Sequence, residues 1–460
     1  MGKRSNKDTS NTFFETFKIR LMPTKAQKRR MNQYFGLSRF LYNWTIDVNH
    51  ARYNEFLMGD AMSRLYSDIS MTTMLTELKS EGEFSWMNQY SVDSMRNAIH
   101  EALVNMEFEL SSRGAPLFNH KRKKAGDREA YYIRPDRFHI WDGEVRIPDI
   151  RSNKVLDSVK TYSHNYEFER NYHDLEYSKV MIVYELGEYY VTGAINRTLP
   201  ESIPKNSKDP HVVGIDIGIK KSNWIVDSDY TVVQMPDVRR VDRKIEKLVH
   251  KYEQKQLAND LRTFKGDNQA FIKGRMLTNK RKPTKREVKL RRRIQREFRH
   301  KANKFNNEIY QYTSNLMKSK PDAIVIEELS SLRMIEEFDE STCISSKGHR
   351  GFNRQVMNAR AFKIKRHLTN TCAKYGIPLI KASGNYPSTQ LCSCCGHRFA
   401  GADKLSLSDR EYVCPDCGSV IDRDLNSSFN LKYLGWSYLG CEDFPESHAK
   451  YSNMYELIQY

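Results

Sequence analysis

The chain has 460 residues, with 75 Lys plus Arg against 57 Asp plus Glu, a formal net charge of +18 and 11 % aromatic side chains. That length holds two or three domains with separate cores, and a basic excess spread along the whole sequence points to a polyanionic partner, most simply nucleic acid. No apolar run reaches the roughly 18 residues of a membrane span, and the polar start lacks the apolar core of a secretory signal.

Residues 1–12 are polar and are expected to be disordered. Residues 13–21 (FFETFKIRL) alternate in part and read as a strand. Pro23 breaks it, and Thr24 with Gln27 three residues on forms a capping-box pattern for a helix running to about residue 49. Helical spacing recurs over 71–78 and 91–110. From 116 to 199 the pattern changes to short aromatic and alternating segments, at 130–133, 137–141, 144–147, 179–184 and 189–195. Asp142-Gly143 supplies a hairpin signal between two of them. This stretch reads as an antiparallel barrel or sheet. The run His120-Lys121-Arg122-Lys123-Lys124 is either a phosphate-contacting loop or a solvated one.

Residues 199–210 read as a linker. The run HVVGIDI at 211–217 is a buried-type strand, followed by short strands at 222–226 and 230–234. A very basic helical region follows over 238–318, with a break expected around 266–283; a helix pair of this kind can lie along a nucleic-acid backbone. Residues 321–326 (PDAIVI) form another buried strand, ending in Glu327-Glu328. The polar stretch 330–351 is a candidate mobile loop, 354–375 an amphipathic helix closed by Gly376, and 377–381 a strand. A helix is expected from about 424 to 434. Residues 436–460 show no pattern that assigns them.

Two constellations carry chemistry. The first is Cys392-Ser393-Cys394-Cys395, eighteen residues, then Cys414-Pro415-Asp416-Cys417. Two CxxC turns at this spacing complete a four-cysteine zinc ribbon, Cys392, Cys395, Cys414 and Cys417, with Cys394 as an alternative to Cys395. A four-thiolate site is closed, so this Zn²⁺ is structural. Four of the eight cysteines at zinc spacing also point to a reducing compartment. The second constellation is acidic. Asp216 lies between Gly214 and Gly218, Glu327 ends a strand, and Asp424, with Asp422 as second choice, precedes a helix. Three carboxylates of this kind suit a pair of Mg²⁺ or Mn²⁺ ions for phosphodiester hydrolysis.

At these residues the chain resembles a known family. Gly214-Ile215-Asp216-Ile217-Gly218-Ile219-Lys220 looks like the first motif of a split RuvC nuclease, Ile324-Val325-Ile326-Glu327-Glu328-Leu329 like the second, and Asp422-Arg423-Asp424-Leu425-Asn426 through Asn430 like the third. A zinc ribbon just before the third motif, preceded by Pro387-Ser388-Thr389-Gln390, is similar to the arrangement in TnpB transposon-encoded nucleases, relatives of the compact type V CRISPR effectors and of Fanzor. The stretch Phe17 through Lys25 and Arg39 through Trp44 resembles the start of TnpB.

The resemblance implies an α/β multidomain protein. Its RNase H-like RuvC nuclease core would occupy 206–389 and 420–435, with the zinc ribbon inserted at 390–419. An amino-terminal wedge β-barrel (13–22 and 112–205) would carry a helical recognition insert (23–111). It implies an RNA-guided DNA endonuclease that cuts beside a short flanking motif, with Asp216, Glu327 and Asp424 as catalytic, metal-holding carboxylates. Residues 330–351 would form a lid over that site. The partners implied are a guide RNA, double-stranded DNA and the displaced single strand. No membrane partner is expected, and a monomer is favoured. A cytoplasmic location is expected in a prokaryote and a nuclear one in a eukaryote, where Lys280 through Arg286 would serve as the signal. The alternatives are a guided DNA-binding repressor or transposition regulator without cleavage, and an unguided RuvC-type nuclease.

Overall fold

A computed structural model describes residues 12–60, 62–121, 128–141, 143–149, 154–162, 177–198, 210–263, 271–272, 275–276, 283–327, 356–357, 359–405, 409–441, 448, 451 and 454–458. The 1–11 start, the 199–209 part of the linker, most of the 266–283 break and the 330–351 lid lie outside these residues.

Strand β1 (Thr12–Leu21) leads into helix α1 (Lys25–Met58). The capping box forms as expected: Gln27 N donates to Thr24 Oγ1 and Thr24 N to Gln27 Oε1. The helix runs nine residues past the expected end at 49. Residues 50–58 carry nothing that breaks a helix, and the stop comes at Gly59, which adopts φ 85°. Helices α2 (Asp68–Ser80) and α3 (Val92–Arg113) follow. Then come β2 (Glu129–Ile133), β3 (His139–Trp141), β4 (Glu144–Arg146), β5 (Val159–Lys160), β6 (Tyr177–Glu185) and β7 (Glu188–Thr198). They form a four-stranded sheet, β1-β7-β6-β2, and a three-stranded antiparallel sheet, β3-β4-β5. Phe17, Tyr34, Tyr131, Val180 and Met95 share one core here. A buried ion pair fastens α1 to the segment after β4: Arg30 donates to both oxygens of Asp149 at 2.7 Å, and the Tyr34 hydroxyl adds a third bond.

Strands β8 (Val212–Ile217), β9 (Ile225–Asp227) and β10 (Val232–Val233) precede the two long basic helices α4 (Arg239–Thr263) and α5 (Lys285–Lys318). A hairpin of β11 (Phe271–Ile272) and β12 (Arg275–Met276) lies between those helices. Next are β13 (Ala323–Glu327), α6 (Ala361–Tyr375), β14 (Leu379–Ala382), β15 (Glu411–Val413), β16 (Val420–Asp422) and α7 (Arg423–Tyr438). Strand β17 (Tyr455–Leu457) ends the order. The helix expected over 354–375 is interrupted: residues 356–357 and 359 are helical, Arg360 adopts φ 54°, and α6 follows it.

A six-stranded mixed sheet, β10-β9-β8-β13-β14-β17, organises this region. Its three central strands are parallel, β8 to β13 and β13 to β14. Every residue of β8 is buried, as in a parallel strand covered on both faces. Val213, Ile215 and Ile217 face a cluster with Trp224, Phe305 and Ile364. Val212, with Val325 and Ile380, faces a cluster with Leu431 and Leu434 of α7. Alternation therefore places Gly214 and Asp216 on the α7 side. Residues 436–460 gain an assignment: α7 continues to Tyr438, and β17 pairs antiparallel with β14 as an edge strand.

The chain divides into two compact units. One holds Phe14–Arg197 and Leu248–Arg296; the other holds Thr198–Lys247 and Glu297–Tyr460. Among the described residues no helix is long and apolar enough to cross a membrane.

Candidate functional site

Parallel register brings the first two carboxylates side by side. Ile326 pairs with Ile215, so Glu327 and Asp216 follow at the next level of adjacent strands, both on the α7 face. The third comes from the first turn of α7. That helix sits close to the sheet because two glycines let it. A Cβ on Gly214 would stand 2.1 Å from the Ser428 carbonyl oxygen and 2.5 Å from Lys432 N, and one on Gly435 would stand 2.4 Å from Val212 Cγ1. With these contacts Asp424 lies near enough to Asp216 for its charge to be felt there.

The electrostatics of the cluster are those of crowded anions. Asp216 is 7 % exposed. Burial holds its pKa well above the ordinary carboxylate range, and the charges of Glu327 and Asp424 add to the rise. Burial likewise pushes Glu327 up to about 7. The opposing effects come from Arg423 and from two buried hydroxyls, Ser427 beside Asp216 and Ser388 beside Glu327. Neither hydroxyl reaches full hydrogen-bond geometry with any group among the described residues. Three carboxylates gathered with so little compensation suit a multivalent cation, whose charge would return Asp216 and Glu327 to their ionised form.

The structure also separates the two aspartates of the third segment. Asp422 is the N-cap of α7, and its Oδ1 accepts from Asp424 N at 2.9 Å and Leu425 N at 3.1 Å. Asp424 accepts at Oδ2 from Asn223 Nδ2 at 3.2 Å and has Arg423 at 3.6 Å and Arg410 at 3.9 Å. The Asp422 carboxylate thus serves the helix end, and the Asp424 carboxylate serves the cluster.

The sulfurs of Cys392, Cys395, Cys414 and Cys417 lie within 4.8 Å of one another, and Cys394 is exposed. Cys392 and Cys417 are 3.7 Å apart and Cys395 and Cys414 3.5 Å. These separations approach the ~3.8 Å between ligands of a tetrahedral four-thiolate zinc with ~2.3 Å bonds. Each knuckle closes on a glycine at φ 73°, Gly396 and Gly418, whose N–H donates to the first cysteine's carbonyl.

Asparagines on α7 stitch the ribbon to the carboxylate cluster. Asn426 donates to Leu391 O at 2.6 Å and accepts from Ser393 N at 2.8 Å. Asn430 donates to Ser388 O at 2.7 Å and Leu391 O at 2.9 Å, and Tyr433 donates to Ser393 O. Positions 426, 430 and 433 share one helix face. Sequence reading missed the roles of Asn223, Arg410, Asn430 and Gly435. The only signal was the i, i+4 spacing of two asparagines in a helix, where Asn is a poor former.

The chain is similar to several known proteins. The family description "Cas12f1-like, TNB domain" matches residues 362–431, from α6 through the ribbon into α7. A "Helix-turn-helix domain" description matches 15–57, which here is a strand followed by one continuous helix. A protein of Streptomyces pristinaespiralis named "Putative RNA-guided DNA endonuclease" is 23 % identical over 93 % of this chain and 90 % of its own length. The TnpB-like protein L79 of Acanthamoeba polyphaga mimivirus is 21 % identical over 94 % of this chain and 75 % of its own. A Methanocaldococcus jannaschii protein named "Putative transposase" is 36 % identical over 78 residues, 16 % of this chain and 71 % of its own. The Cas12f1 chain of a solved complex with guide RNA and target DNA aligns over 92 % of this chain and 99 % of that one, with 12 % identity and a TM-score of 0.41. The chain belongs to the TnpB-like family.

Proposed function

We propose that this protein is an RNA-guided DNA endonuclease that cuts target DNA beside a short flanking motif, with Asp216, Glu327 and Asp424 as the catalytic carboxylates. In this reading the six-stranded sheet with its helices is a RuvC-type, RNase H-like core. The unit built on β1–β7 and α1–α3 is the wedge barrel with its recognition helices. Guide RNA pairs with the target strand, and the basic excess meets the nucleic-acid backbones.

The observation that carries the reading is geometric: Asp216 and Glu327 stand at neighbouring levels of paired strands on the face that α7 packs against, with Asp424 in the first turn of that helix. Those side chains would hold two Mg²⁺ or Mn²⁺ ions, which would supply an activated water and stabilisation of the leaving oxygen. Asn223 and Asp422 would orient Asp424, one by its amide and the other by fixing the helix end. Arg410 is placed to meet a phosphate brought to Asp424. Four thiolates would hold a structural Zn²⁺ that keeps the ribbon folded against α7.

The test is a cleavage assay with copurified RNA, Mg²⁺ and a target library with a randomised flank. Wild-type protein is expected to leave ends at a defined distance from one motif. Asp216→Ala is expected to bind RNA and target but leave no ends. Cutting by Asp216→Ala would refute the assignment, and binding without ends by the wild type would make the protein a guided repressor.

A further inference from the structure

The residues beyond α7 return to the carboxylate cluster. His448 is buried, and its Nε2 lies 3.0 Å from Asn430 Oδ1. Asn430 is itself fully buried, and its Nδ2 donates to the carbonyls of Ser388 and Leu391. Carbonyl oxygens only accept, so the amide nitrogen must face them. That turns Oδ1 toward His448 and requires the proton on Nε2. The network ends at the cluster: the segment it holds continues from β14, whose last residue Ala382 pairs with Glu327. A parallel contact runs beside it. The Tyr386 hydroxyl donates to Asn430 O at 2.7 Å, and Tyr451 packs edge-on against the Tyr386 ring at 6.1 Å. Further along, Met454 O accepts from Ser383 N, and Glu456 pairs with Lys381.

We infer that His448 is a positioning residue: acting through Asn430, it holds the 386–391 segment so that Glu327 stays in register with Asp216 and Asp424. What that corner does in cleavage rests on the nuclease reading above; the geometric coupling stands apart from it.

The full chain is compared as wild type, His448→Ala and His448→Gln, with Asp216→Ala as the blank for metal at the carboxylates. Gln keeps an N–H that can reach Asn430 Oδ1; Ala does not. Mn²⁺ binding is followed by electron paramagnetic resonance and backbone exchange by deuterium uptake. His448→Ala is expected to weaken Mn²⁺ binding about 10-fold and to speed exchange across 386–391, with zinc content unchanged, and His448→Gln to restore both. The guided cutting rate should fall and recover in parallel. Unchanged Mn²⁺ affinity in His448→Ala overturns the inference. So does a His448→Gln variant no better than Ala, or an exchange increase spread evenly over the sheet, which would mean a merely structural role. If the wild type binds Mn²⁺ at the carboxylates but cuts no DNA, the nuclease reading fails while the binding and exchange data still decide the part His448 plays. If the wild type binds no Mn²⁺ there, both fail.

Discussion

The carboxylate cluster and the cysteine cluster share one compact unit, and they differ in what remains to be supplied. The cysteines arise from two local turns, each closed by its own glycine, and four thiolates saturate a tetrahedral ion. The carboxylates arise from three segments far apart in sequence and meet only through sheet register and helix packing; burial raises Asp216 and Glu327, and the charges of Glu327 and Asp424 raise Asp216 further. Three carboxylates also supply fewer oxygens than hard divalent ions take, so water and phosphate can complete the shell. A self-contained site suits structure, and an incomplete, strained one suits chemistry.

The sharpest way to break this contrast is at the ribbon. Structural zinc contributes roughly 10–16 kcal/mol to folding in isolated zinc-finger peptides. Cys414→Ser is expected to take zinc from one ion per chain to none and to unfold the ribbon. Because Asn426 and Asn430 tie that ribbon to α7, cutting should fall to background as well. Elemental analysis and a cleavage assay check both, and a variant that loses zinc but cuts at the wild-type rate would detach the two sites.

Next in size is Gly214→Ala, which acts where α7 meets β8 and leaves the four cysteines in place. The new methyl meets a backbone oxygen at 2.1 Å, so α7 must move away from β8. The expected loss is about 3 kcal/mol of stability together with most of the cutting, with zinc retained. A melting curve beside a zinc assay separates this outcome from the first.

A smaller effect is expected from pH. Glu327 is held near 7 when folded, against its ordinary 4.5. A raised carboxyl contributes stability that is fully present below the ordinary value and lost as pH rises through the folded one. Metal-free protein is therefore expected to lose stability between pH 4.5 and 7, by at most about 3 kcal/mol for this group. Glu327→Gln should flatten that slope, and Mg²⁺ should raise the melting temperature more at pH 8 than at pH 6. An unchanged slope in Glu327→Gln would remove the picture of a carboxyl raised by burial.

The two sites were also unequally legible. CxxC spacing reports local turns, so the four cysteines could be read directly, as could the Thr24–Gln27 cap. The carboxylates were readable only jointly, through a family resemblance, because the pairing of Val325 with Gly214 and the approach of α7 are tertiary events. Asn223, Arg410 and His448 left no trace, since an isolated polar residue has no period. Strand β17 is three residues long, too short to alternate visibly. The overrun of α1 past residue 49 had a local sign, the missing breaker before Gly59, that apolar spacing alone did not weigh.

The smallest expected effect decides between neighbours. Asp422 and Asp424 sit two residues apart in one motif, and only their hydrogen bonds tell them apart. Asp422→Ala removes an N-cap, which costs about 1 kcal/mol; Asn223 has Asp424 as its nearer acceptor, 3.2 Å against 3.5 Å, and keeps it. Asp422→Asn should cost still less, since an amide oxygen also caps. Both variants are expected to cut within about 10-fold of wild type. Asp424→Asn keeps the shape of the side chain but removes a charge that Asp216 feels, so it should abolish cutting while relieving Asp216 and leaving the metal-free protein at least as stable. Opposite signs for stability and activity in one isosteric change are what a site built against its own electrostatics should give, and equal loss of cutting in Asp422→Asn would return the third corner to Asp422.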